Sequence, residues 1–169
     1  MSDSHGNAAN LDEAIGRNRD ADLVLHLGDG TADFHRVETY GIPVYKVKGN
    51  GEEWFVYPPE SLEREMILTL DGVKILMMHG HTPHDVKFGY ERAAAYAAEK
   101  DADILLFGHT HTPLEKRFSE GDVLCGKELK KPLYVFNPGS LGRPHYSAPA
   151  SFGIITIRDG KLLLSHGEI

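Results

Sequence analysis

The chain has 169 residues, 41% hydrophobic and 25% charged, with a net charge of −7. That size and balance suit one globular domain able to bury about two-thirds of its unfolded surface. The acidic balance and the lack of a Lys or Arg block argue against a nucleic-acid surface, and no apolar run reaches the roughly 18 residues of a membrane helix.

Residues Asn7 to Arg19 read as a helix, with Leu11, Ala14 and Ile15 on one face and Asn7 or Asn10 as cap. "DLVLHLGD" is a short buried strand ending at Gly28, and "TADFHRVETYG" a short helix closed by Gly41. "IPVYKVKGN" is a strand running into a glycine turn. "EREMILTLDGVKILMMHGH" is a hairpin whose Asp71-Gly72 pair suits type I′ geometry. Val86 to Lys100 predict a helix with Tyr90, Ala93, Ala94 and Ala97 on one stripe. "ADILLFGH" is the next strand, a polar segment spans Ser119 to Pro132, and "LYVFNPGS" is another strand. "SFGIITIRDGKLLLSH" closes the chain as a second Asp-Gly hairpin. Strand-helix alternation followed by hairpins predicts an α/β fold of two mixed sheets packed face to face, helices outside.

The predicted strands share one feature: each ends in a metal-competent side chain beside a glycine. Asp3 and His5 stand in "MSDSHGN", Asp29 follows "LHLG", Asn50 follows "KVKG", His79 precedes Gly80, and His109 and His111 follow "LLFG". Strand ends on one sheet edge converge, and glycine lets the backbone approach closely. Taken singly, Asp29 is a turn or cap residue, Asn50 a tight-turn residue, and Asp3 with His5 a polar terminus. Taken together they form a nitrogen and oxygen donor set too large for one ion. Two ions about 3.5–4 Å apart, sharing a carboxylate, would use it for in-line displacement at phosphorus.

In this order and spacing, "D-S-H-G-N … G-D … G-N … H-G-H … G-H-T-H" resembles the calcineurin-like metallophosphoesterases, in particular the small YfcE-type phosphodiesterases. The likeness spans nearly the whole chain, including "NPGS" at 137–140. It implies a single metallophosphoesterase domain over residues 1–169, a four-layer α/β/β/α sandwich. By the resemblance Asp3, His5, Asp29 and His111 would hold one ion, and Asp29, Asn50, His79 and His109 the other. Mn²⁺ is the implied metal, with Fe, Co, Ni or Zn chemically suited to the same ligands. The implied substrate is a small phosphodiester or phosphomonoester. The single cysteine, Cys125, cannot close an internal disulfide and points to a reducing, cytoplasmic setting. A homo-oligomer is compatible with all of this.

Two departures from the family pattern stand out. Members commonly carry His or Cys after the Asn ligand, then Asp or Glu; here Gly51 and Glu52 follow Asn50, so the usual proton donor to the leaving group is missing. His81 and His84 are substitutes to weigh against solvated loop histidines. Members also place an apolar strand before the Asp-x-His motif, whereas only two residues precede Asp3, so the first strand is expected to be truncated. His26 reads as a core histidine, and Asn137 and Ser140 as ligand-orienting residues or an ordinary Pro-Gly turn. Trp54, Phe55 and Tyr57 read as cleft, subunit contact or core. The competing function is a retromer-subunit-like scaffold that binds protein partners without catalysis. Metal-dependent amidohydrolases, which also use His-x-His, are larger barrels.

Overall fold

The computed structural model describes residues 1–54, 61–145 and 147–169, so Phe55 and Tyr57 lie outside the described residues. Helix α1 (Ala8–Gly16) begins where the Asn7 side chain accepts from Asn10 N–H at 3.2 Å. Strands β1 (Val24–His26) and β2 (Val44–Lys46) pair in parallel, and α2 (Asn50–Trp54) follows β2 directly. Strands β3 (Glu65–Leu70) and β4 (Val73–Met78) form the first hairpin. Asp71 and Gly72 at its turn both take positive φ, 45° and 78°, as type I′ geometry requires. Then come α3 (Glu91–Glu99), β5 (Ile104–Leu106), β6 (Leu114–Phe118), the small hairpin β7 (Val123–Leu124) and β8 (Lys127–Glu128), and β9 (Leu133–Asn137). Strands β10 (Ser151–Arg158) and β11 (Lys161–Glu168) close the chain as the second hairpin.

The central sheet has the order β3-β4-β5-β9-β6. Strands β4, β5 and β9 run parallel, and the edge strands β3 and β6 run antiparallel to their neighbours. Alternation along β4, β5 and β9 sends Leu76, Leu105 and Val135 to one face, against Ala93, Ala94 and Ala97 of α3. Ile75, Met77, Ile104, Leu106 and Phe136 take the other face and meet Leu27, Val47, Ile155 and Leu164 from the second β layer. Beyond that layer, Leu11, Ala14 and Ile15 of α1 pack on Val24 and Phe152. Helix, β layer, β layer, helix are the four expected layers, but the second β layer is two separate two-stranded sheets, parallel β1-β2 and antiparallel β10-β11, rather than one mixed sheet.

Several expected elements differ in detail. The helix anticipated over 86–100 is interrupted: Val86–Phe88 is a separate 3₁₀ turn, and Gly89, at φ 112° and ψ 139°, breaks the run before α3. Residues Thr31–Arg36 form a 3₁₀ turn rather than an α-helix. The polar segment after residue 118 holds the β7–β8 hairpin, with Cys125 exposed at its tip. Among the described residues, no helix is long and apolar enough to cross a membrane.

Candidate metal centre

Residues from both β layers meet at the carboxyl ends of β1, β2, β4 and β5. Asp29 lies just past β1, Asn50 opens α2 past β2, His79 directly follows β4, and the turn after β5 carries His109 and His111. Asp3 and His5 arrive beside them because Asp3 N–H bonds to Gly28 O (3.0 Å) and His5 N–H to Asp29 O (3.1 Å).

The donor atoms form two adjoining groups. In one, His5 Nε2 and His111 Nε2 lie 3.1 Å apart, at 3.6 and 3.2 Å from Asp3 Oδ1. In the other, His79 Nε2 lies 3.1 Å from Asn50 Oδ1, 3.2 Å from His109 Nδ1 and 3.5 Å from Asp29 Oδ2. Asp29 Oδ2 is also 3.8 Å from His5 Nε2, so this carboxylate faces both groups. Asp3 Oδ1 spans them too, at 3.9 Å from His79 Nε2. All seven residues singled out in the sequence therefore come together.

The chemistry of this donor set fits cations. His79 Nδ1–H donates to Leu27 O at 2.7 Å, which leaves the lone pair of Nε2 facing Asn50 Oδ1 and His109 Nδ1. Asp3 Oδ1 is buried without a hydrogen bond among the described residues. Acceptors facing acceptors, and a buried carboxylate oxygen left over, need a proton or a cation between them. The backbone is also held in an unusual state: Asp3, His5, Asp29, His109 and His111 take φ of 54°, 46°, 56°, 64° and 57°. Left-handed non-glycine residues gathered at one point mark a functional site. Neighbouring glycines permit the crowding. A Cβ on Gly108 would stand 2.0 Å from Ser2 Oγ, and one on Gly49 would stand 2.1 Å from Asp29 Oδ1.

Burial works against the charge of Asp3 and Asp29, yet both stay below the usual carboxylate range. The His111 and His5 imidazoles hold Asp3 down, and His79 together with the Gly51 N–H holds Asp29 down. Burial also opposes protonation of His79, but Asp29 and Asp3 outweigh it and raise this imidazole. His109 is lowered to about 4 by burial and by the charge of His79.

Residues outside the donor set hold it in place. Glu52 accepts from the N–H groups of Asp29, Gly30, Thr31 and Gly49 at 2.7–3.0 Å, tying the loop after β1 to the loop after β2. Nothing local in the sequence marks Glu52 beyond its place after Gly51, because an acidic side chain in the first turn of a helix ordinarily faces solvent. Asp85 Oδ1 lies 3.5 Å from His109 Nε2, the ring nitrogen turned away from the donor group. Asn137 donates to Gly108 O and Thr110 Oγ1, and Ser140 Oγ donates to Asp3 O, so the "NPGS" turn braces two donor-bearing loops. His26 is fully buried, edge-on to Phe34 at 5.3 Å. His84 packs on Tyr96, and His81 Nε2 sits 3.1 Å from Glu53 Oε2. Trp54 is 76% exposed, which rules out the core role considered for it.

Residues 1–160 match the family model of the calcineurin-like phosphoesterase superfamily domain. The chain is 29% identical to the probable metallophosphoesterase YsnB of Bacillus subtilis, over 94% of this chain and 83% of that protein. It is 28% identical to phosphodiesterase YfcE of Escherichia coli over 66% of this chain, a match that spans only about half, 52%, of YfcE. The crystal structure of a predicted phosphoesterase from Streptococcus pneumoniae superposes with a TM-score of 0.73 at 25% identity, covering 99% of this chain and 86% of that one.

Proposed function

Since the chain belongs to the calcineurin-like phosphoesterase superfamily, we propose that it hydrolyses small phosphodiesters with two divalent ions, manganese foremost. Asp3, His5, Asp29 and His111 would hold one ion, and Asp29, Asn50, His79 and His109 the other. When bound, such ions supply Lewis acidity toward a phosphoryl oxygen and acidify a water at neutral pH. The observation that carries this reading is the convergence of seven donors from four strand ends and the amino-terminal segment, with Asp29 Oδ2 within 3.8 Å of an imidazole in each group.

The chain's own groups set the terms of the reaction. The Nδ1–H bond from His79 to Leu27 O fixes which nitrogen is offered to the site. Glu52 keeps Asp29 and Asn50 in register by gripping both loops. Gly51 contributes its N–H to Asp29 Oδ1 at 2.7 Å but has no side chain to protonate a departing alkoxide. Leaving groups that need no proton are therefore favoured, and aryl phosphodiesters should turn over faster than alkyl monoesters. The exposed Cys125 suits a reducing, cytoplasmic setting.

The test is hydrolysis of bis(p-nitrophenyl) phosphate with and without added Mn²⁺. Metal-dependent turnover that falls by at least about 100-fold in Asp29→Asn and in His109→Ala is expected. Full activity in Asp29→Asn would remove the bridging role. No turnover with any of the suited metals would favour a retromer-subunit-like scaffold.

A further inference from the structure

Two acidic residues outside the donor set lie under it. Glu52 grips the loops that carry Asp29 and Asn50. The other, Asp33, stands in the 3₁₀ turn Thr31–Arg36 and is buried, at 5% exposure. Its Oδ2 accepts from Ser4 Oγ–H at 2.7 Å and from Gly6 N–H at 2.9 Å. One oxygen thus holds the residues on both sides of His5.

His5 needs such a hold. Its backbone is left-handed, at φ 46°, and Gly6 follows at φ 89°. A histidine resists that conformation unless its surroundings impose it. The ring has no anchor of its own. His79 is fixed by its Nδ1–H to Leu27 O, whereas among the described residues the His5 ring has no hydrogen bond outside the donor group. The direction of His5 Nε2 therefore follows from the backbone beneath it. That backbone is tied at three points: His5 N–H to Asp29 O at 3.1 Å, and Ser4 and Gly6 to Asp33. The knot has no slack. A Cβ on Gly30 would stand 2.1 Å from Ser4 Oγ, 2.7 Å from His5 N and 2.9 Å from Asp33 Oδ2.

We propose that Asp33 is the positioning residue of the first ion group: it sets His5 against Asp3 and His111, and governs one of the two ions without governing the other. This rests on the two-ion centre proposed above. A carboxylate suits the task because it only accepts, so both donors can share one oxygen. Burial shields the two bonds from competing water. Among the described residues Asp33 makes no hydrogen bond or ion pair with Asn50, His79 or His109, the donors particular to the second group. A buried negative charge that simply drew cations would instead strengthen both ions, and substitutions separate the two causes.

The experiment is equilibrium dialysis of the metal-stripped chain against Mn²⁺, resolving the two binding steps. Asp33→Ala should weaken one ion at least about tenfold and leave the other within about twofold. Asp33→Asn loses the charge but keeps an oxygen that can accept from Ser4 and Gly6, so it should stay within about threefold of the parent. In a His5→Ala background, Asp33→Ala should add no further loss, as expected of a residue that acts through His5. Should Asp33→Ala not fold, Ser4→Ala removes one of the two bonds from the other side and serves the same comparison. Equal weakening of both ions overturns the proposal, as does an Asp33→Asn loss as large as that of Asp33→Ala, which would make charge the cause. Unchanged binding in Asp33→Ala, or an additive loss in the His5→Ala background, overturns it too. A parent chain that binds fewer than two ions overturns the two-ion centre itself, and the role of Asp33 with it.

Discussion

Glu52 shows how much of a site rests on a residue that need not touch the reacting atoms. Its two oxygens take four backbone N–H groups and the Thr31 hydroxyl, and these donors hold it below the ordinary carboxylate range against its burial. Glu52→Gln places an amide NH₂ against donors. Metal-dependent turnover should drop about 10–100-fold and stability by about 2–3 kcal/mol, read from phosphodiester assays and urea melts. Asp85 is a milder case. Its carboxylate faces His109 Nε2 at 3.5 Å from a half-buried position, so Asp85→Asn should weaken Mn²⁺ binding about tenfold at unchanged melting temperature, measured by metal titration. The left-handed backbone at Asp3, His5, Asp29, His109 and His111 adds a second demand to the donor chemistry. Asp, Asn and His tolerate that conformation better than most residues, so these positions suit their side chains twice over.

At the level of elements, the strands and the donors were the legible parts. Apolar runs ending in Gly-Asp or Gly-His mark both a buried strand and its exit, because a side chain can serve a strand-end site only where the chain turns sharply. Hidden elements had weaker local signals. β6 ("LEKRF") carries three consecutive exposed charged residues, and its identity comes from register with β9, Leu114 opposite Asn137 through Phe118 opposite Leu133. The break before α3 depends on one residue: Gly89 sits where a side chain would be strained, while the pattern of apolar residues runs on past it. Gly89→Ala should cost about 1–3 kcal/mol, seen as a lower urea midpoint at unchanged slope. Glu52 was illegible for a different reason: its partners are backbone groups, which a sequence does not display.

At the scale of the whole molecule, buried imidazoles set the acid limit. Burial lowers His26 to about 3, so between pH 6.5 and 3 the unfolded chain takes up a proton that the folded chain refuses. Stability from this group is complete above pH 6.5 and is lost as pH falls. The expected loss is about 1.4 kcal/mol per pH unit, or about 2 kcal/mol by pH 5. His109, also lowered, acts in the same direction down to about pH 4. The depressed carboxylates Asp3, Asp29 and Glu52 add their loss only below their ordinary range. His26→Asn keeps an acceptor near Gly28 N–H and cannot titrate, so its thermal melts at pH 7 and pH 5 should differ less than those of the parent. The donors span residues 3 to 111 and come from strand ends in both β layers, so they gather only when those strands are packed together. Each tenfold rise in free ion above its dissociation constant should then favour the native state by about 1.4 kcal/mol per ion held. The melting temperature becomes a gauge of metal supply, and starvation for the ion would expose the polypeptide to proteolysis well before any heat stress did.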